Sequence, residues 1–198
     1  LLSEFVHSYV WRVILPHIAY CATHEPSQLL DGDLYLARLD GEIVRLTDTE
    51  ATELNETLSK SGESVAFVRA RQLWVAKVGE DARPITPLED SALVRWGEAE
   101  FIAQEEMRRY TGYWWSPDGT MIAFRSSRTG SGDIYVMDAD GSNVRQVTDN
   151  GAANFGPFWH PDGQRIIWSS NQGDPAGREF DLYMINEDGT GQEQITYT

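Results

Sequence analysis

Four segments of this 198-residue chain share one spacing, and that spacing limits what the chain can fold into. An apolar anchor (Trp11, Leu58, Trp115, Trp159) precedes an aromatic (Tyr20, Phe67, Phe124, Trp168) by nine residues in every copy. A second aromatic (Tyr35, Trp74, Tyr135, Tyr183) precedes a closing threonine (Thr47, Thr86, Thr148, Thr196) by 12, 12, 13 and 13 residues. A register kept along the whole chain means one supersecondary unit repeated, and a period of roughly 40 to 50 residues points to arrays or propellers.

Each copy reads as four short strands. Pro-Asp-Gly at 117–119 and 161–163, and Asp-Gly at 140–141 and 188–189, supply turns. There Gly takes a positive φ without a Cβ clash and Asp bonds its own backbone. The runs between them, such as Ile122-Ala123-Phe124 and the segment 133–138, are β-branched and aromatic with partial alternation, as half-buried strands are. The expectation is an all-β chain: one β-propeller domain over 1–198, built of four four-stranded antiparallel blades. Its blades fall at about 5–47, 52–86, 110–148 and 154–196, with a short helix inserted at 97–110. The first blade has Arg12 to His17 in place of a polar turn, which puts its first hairpin in question.

The insertion stands out by length. From closing threonine to next anchor the chain takes 11 residues at Thr47 to Leu58 and at Thr148 to Trp159, but 29 at Thr86 to Trp115. In such a blade the connections from the second strand to the third, and from the fourth to the next blade, share one face. Their variable lengths make that the face for binding.

Composition narrows the partners. With 31 acidic and 16 basic side chains the formal charge is -15, which repels a phosphate backbone or an anionic membrane, so nucleic acid is a poor partner. Cys21 is the only cysteine, which excludes an internal disulfide and a cysteine-based zinc cluster. The most apolar stretch, 10–20, is broken by Arg12, Pro16 and His17, so no membrane-spanning segment is expected. No metal or cofactor is expected. Asp138, Asp140 and Asn143 lack the rest of a calcium loop and read as a hairpin turn. Trp115, Phe124, Trp159 and Trp168 recur at equivalent positions, as core aromatics do.

At WSPDG, IAF, DIYVMDADG, NFGPFWHPDG and REFDLYMINEDGTG the chain resembles the TolB-type propeller repeat, also found in propellers of the prolyl oligopeptidase family. Residues 94–119, VRWGEAEFIAQEEMRRYTGYWWSPDG, resemble the dipeptidyl peptidase IV propeller, where a Glu-Glu pair on a short helix faces the substrate cavity. The resemblance implies that Glu105 and Glu106 bind the free α-amino group of a peptide. The chemistry fits: an ammonium has three donors, two adjacent carboxylates accept from it, and such binding weakens in acid. A structural reading stands beside it. Glu98, Glu100, Glu105 and Glu106 precede Arg108 and Arg109, so helix-dipole pairing and a Glu105–Arg109 bridge at i,i+4 account for the same charges.

A peptidase of this kind carries its nucleophile on a G-x-S-x-G elbow in an α/β-hydrolase domain. The chain has no such motif, Gly130-Ser131-Gly132 reads as a loop, and His7, His17, His24 and His160 are scattered. No catalytic triad is present, so the chain should not hydrolyse peptides by itself. Nor do clustered ligands support a lyase. Starting at Leu1 without a signal pattern, it reads as a piece of a longer protein, with an α/β-hydrolase domain expected C-terminal to it. Four blades are the lower limit for closure, so an incomplete arc or a homodimer is the expectation. Two functions remain open: a non-catalytic propeller recognising or gating peptide N-termini, and a TolB-like scaffold for a protein partner. Both resemblances imply a bacterial periplasmic or secreted location.

Overall fold

The computed structural model describes residues 12–14, 17–23, 32–38, 41–91, 94–130, 132–176 and 178–197. Trp11, His7, His24 and Ser131, named above, lie outside them. The chain divides into two compact units, 1–98 and 99–198.

The first unit holds two four-stranded sheets. One is β1 (Arg12–Ile14), β2 (His17–Thr23), β3 (Gly32–Arg38) and β4 (Ile43–Arg45); the other is β5 (Glu53–Leu58), β6 (Ser64–Arg69), β7 (Gln72–Lys77) and β8 (Arg83–Pro84). The second unit begins with α1 (Phe101–Met107) and holds two more sheets. These are β9 (Tyr113–Trp115), β10 (Met121–Ser126), β11 (Asp133–Asp138) and β12 (Arg145–Gln146), then β13 (Asn154–Trp159), β14 (Arg165–Ser170), β15 (Asp181–Asn186) and β16 (Glu193–Gln194). Every sheet keeps sequence order and every pairing is antiparallel, so each is a meander of the propeller-blade type. The first blade forms its hairpin despite the apolar turn, with Ile14 opposite His17.

The nine-residue spacing is the first hairpin of the second, third and fourth blades. Ser116 closes it in the third: its backbone carbonyl accepts from Gly119 N–H at 3.0 Å and its hydroxyl accepts from Met121 N–H at 2.9 Å. Gly62, Gly119 and Gly163 share φ +75, the left-handed conformation that excludes most side chains. The segment 138–143 is likewise a hairpin turn, in which Ser142 Oγ donates to Asp140 and Asn143 Nδ2 to Asp138.

The threonine spacing is a side-chain staple. Thr47, Thr86, Thr148 and Thr196 each accept, at Oγ1, the backbone N–H of Leu34, Leu73, Ile134 and Leu182 at 2.8, 2.9, 2.9 and 2.8 Å. The staple holds the end of the short fourth strand against the third.

Blade packs on blade through unlike faces. In the second unit Ala123, Ile134, Val136 and Val147 of the third blade meet Ile166, Trp168, Tyr183 and Ile185 of the fourth. In the first unit Leu34 and Leu36 meet Leu58, Val65, Phe67 and Ala76, flanked by Trp74. An aliphatic face thus docks on an aromatic one in both. A polar bond seals each junction. Buried Asn154 accepts from Trp168 Nε1 at 2.9 Å and donates to Gly132 O at 2.9 Å. At the corresponding strand start of the first unit, buried Glu53 accepts from Thr47 Oγ1 of the preceding blade at 2.5 Å and is paired with Arg69 of its own blade.

Candidate functional site

The residues 99–111 form a closed excursion. Ala99 N–H donates to Tyr110 O at 2.8 Å, which brings both ends of the excursion together and projects α1 from the start of β9. The helix is short for local reasons. Glu100 enters it extended (φ -65, ψ 158) with no side-chain cap, and Arg108 leaves it left-handed at φ 51. Arg109 N–H then returns to Ala103 O at 3.0 Å. Ala103 is fully buried. Gln104 Nε2 braces the entry by donating to Ala99 O at 2.6 Å.

Glu105 and Glu106 sit side by side in the last turn, and both are exposed. Among the described residues neither carboxylate has a hydrogen-bond or ion-pair partner. Phe101, Met107 and Tyr110 flank them and are exposed as well. The result is a pair of solvated carboxylates with apolar shoulders on a helix anchored at both ends.

The structural reading of these charges does not hold in detail. The first turn of α1 carries no acid and the last turn no base. Because Arg108 breaks the helix, Arg109 leaves i,i+4 register with Glu105. It pairs instead with Glu100 at 3.0 Å, donates to Thr111 O at 2.8 Å and lies 5.2 Å above the Trp114 ring. Arg95 likewise pairs with Glu98 at 3.1 Å. Glu98 and Glu100 therefore act as structural acids, whereas Glu105 and Glu106 are left to solvent.

Beside this excursion, Arg125 donates from Nε to Asn154 O at 2.7 Å and lies 4.8 Å above Phe155. Burial lowers its pKa from the ordinary arginine value, opposed by the charges of Glu100 and Asp133. Phe155 in turn meets Phe180 from the 171–180 loop at 5.7 Å. The sequence reading missed Arg125 and Phe155, and gave Arg109 a different partner. Their signal was weak, since an arginine beside an aromatic becomes informative only when the blade register sets them face to face. Among the described residues no group of His, Cys, Asp and Glu is arranged to hold a metal ion. No helix there is long and apolar enough to cross a membrane.

Two family models match this architecture. The TolB beta propeller domain matches residues 99–198, and the dipeptidyl peptidase IV N-terminal region matches 28–129, a span that includes α1. The Tol-Pal system protein TolB of Nitratidesulfovibrio vulgaris is 27% identical over 80% of this chain and 33% of its own length. The "Uncharacterized peptidase YuxL" of Bacillus subtilis is 37% identical over 34% of this chain and 10% of its own. Dipeptidyl peptidase 4 of Porphyromonas gingivalis superposes with a TM-score of 0.66 at 13% identity, over 90% of this chain and 31% of that one, a likeness of fold alone. The chain spans no more than about a third of the length of these relatives. The chain belongs to the β-propeller family of TolB and the dipeptidyl peptidase IV N-terminal region.

Proposed function

We propose that this propeller recognises peptides by their free N-terminus, through Glu105 and Glu106. The supporting observation is that these adjacent carboxylates are exposed and unpartnered among the described residues, while the arginine spaced to neutralise Glu105 is held by Glu100. An α-ammonium offers three donors and a charge to such a pair. Phe101, Met107 and Tyr110 supply apolar surface for the first side chains of the peptide. The chain carries no G-x-S-x-G, so its part is recognition or gating, and the hydrolytic nucleophile belongs to an α/β-hydrolase domain elsewhere in the parent protein. Calorimetric titration with a dipeptide and its N-acetylated counterpart tests this: the free amine should bind and the acetylated form should not. Equal affinity for both rejects it.

A second reading is a scaffold for a protein partner in the bacterial periplasm. The match of the TolB beta propeller model across 99–198 favours it. Its test is capture of a stable partner from an envelope extract that withstands replacement of both glutamates by alanine.

A further inference from the structure

The connection from the third blade to the fourth contains the one Asn-Gly pair of the chain, Asn150-Gly151. Intramolecular chemistry at such a pair needs a backbone nitrogen free to attack and a side-chain amide free to receive it. Gly151 meets the first condition. It is exposed, its N–H has no hydrogen-bond partner among the described residues, and nothing lies within 4 Å of where a Cβ would stand.

Asn150 is held back from the second. It is half-buried; its Nδ2 donates to Asn154 Oδ1 at 3.1 Å and to Gln172 Oε1 at 2.7 Å. Its Oδ1 accepts from Ala152 N–H at 3.1 Å and from Asn154 Nδ2 at 2.9 Å. These bonds belong to the blade junction, since Asn154 begins β13 of the fourth blade and its Nδ2 also reaches Gly132 O of the third. Asn154 cannot turn its amide round, because Trp168 Nε1 only donates and so fixes Asn154 Oδ1 as an acceptor. Position 150 must therefore present an N–H to Asn154, which an amide does and a carboxylate does not.

We propose that Asn150 is a self-modification site: its conversion to aspartate or isoaspartate is gated by the hydrogen bonds of the junction and loosens that junction once it occurs. Gly151 N gives up its proton and attacks Asn150 Cγ. The new C–N bond closes a cyclic succinimide as the Cγ–Nδ2 bond breaks and ammonia leaves with that proton. Water then opens either ring carbonyl, leaving an aspartate or, with the main chain rerouted through Cγ, an isoaspartate. The product sets a carboxylate oxygen where Asn150 Nδ2 stood, against Asn154 Oδ1, and adds a negative charge to a network that already holds buried Asp133. The folded state delays the reaction because the Asn150 side chain must first leave its partners, a local opening of the junction.

Peptide mapping by mass spectrometry of the chain incubated in mildly alkaline buffer, folded and in guanidinium chloride, tests this. Conversion should fall at Asn150 rather than at Asn55, Asn143, Asn154, Asn171 or Asn186, and should be slower in the folded chain than in the denatured one. Gln172→Ala removes one bond to Asn150 Nδ2. It should speed conversion of the folded chain about fivefold, the factor one ordinary hydrogen bond is worth, and leave the denatured rate unchanged. Asn150→Asp, made directly, should hasten exchange of the Trp168 indole N–H. The inference is overturned if folded and denatured chains convert at one rate, or if the folded chain stays unconverted while the denatured one converts fully. Trp168 exchange indifferent to Asn150→Asp also overturns it. If either variant fails to fold, the comparison of folded with denatured unaltered chain decides.

Discussion

Thr148 and Asp133 form a buried polar joint in the third blade: the threonine hydroxyl donates to Asp133 Oδ1 at 3.0 Å while its oxygen accepts the next backbone N–H, that of Ile134, at 2.9 Å. Thr196 and Asp181 repeat the arrangement at 2.9 Å and 2.8 Å. In the second blade Gln72 replaces the aspartate and donates instead to the Thr86 carbonyl at 2.7 Å.

Thr148 is buried, so Thr148→Val strands the Ile134 backbone N–H away from water and removes one donor from Asp133 Oδ1, which keeps Asn154 Nδ2 at 3.4 Å. The expected loss is about 1–3 kcal/mol, the usual cost of leaving buried partners unsatisfied. Thr196→Val should cost less, because Leu182 beside it is open to solvent. Urea denaturation of the two variants checks the order.

Glu53 and Arg69 make an ion pair with side chains 0% and 10% exposed. Arg69→Met leaves the carboxylate buried without its cation and should cost about 3–5 kcal/mol, whereas Glu53→Leu with Arg69→Met should recover much of that. A double-mutant cycle by denaturant melts measures the difference.

Asp162 accepts from the backbone N–H of Gln164, which with the Arg165 contacts lowers its pKa to about 2. A carboxylate depressed in the folded state stabilises above its ordinary pKa and loses that contribution as pH falls through the folded value. Stability should therefore decline between about pH 4 and pH 2, and Asp162→Asn should flatten that part of the profile. Thermal melts across the range read it directly.

Arg109→Ala removes the Glu100 pair and the contact over Trp114 together. The partial exposure of both charges limits the cost to about 1 kcal/mol of global stability. Amide exchange in 101–107 should accelerate more than that loss accounts for, because these Arg109 contacts hold the turn by which the chain leaves α1.

The strands and turns were legible because they repeat. Leu58, Trp115 and Trp159 end the first strands of their blades, and Thr47, Thr86, Thr148 and Thr196 stand just beyond the fourth, where the spacing put them. The reason for the threonine was not legible, since a hydroxyl bonded to a backbone 13 or 14 residues away leaves no local pattern. The α1 charges were misassigned for a similar reason. A pairing of Glu105 with Arg109 presumes an unbroken helix, and the left-handed turn at Arg108, a residue that gives no warning of one, redirects Arg109 to Glu100. The unlike faces of the blades were likewise invisible in one dimension, because Leu182 and Ile134 look equivalent until burial separates them.

The most direct test of the amine site is calorimetric titration of one free dipeptide against the unaltered chain and against Glu105→Ala/Glu106→Ala. The account predicts saturable binding that the double variant abolishes with no change in thermal unfolding, since neither carboxylate has a structural partner among the described residues. Undiminished binding by the double variant would contradict it.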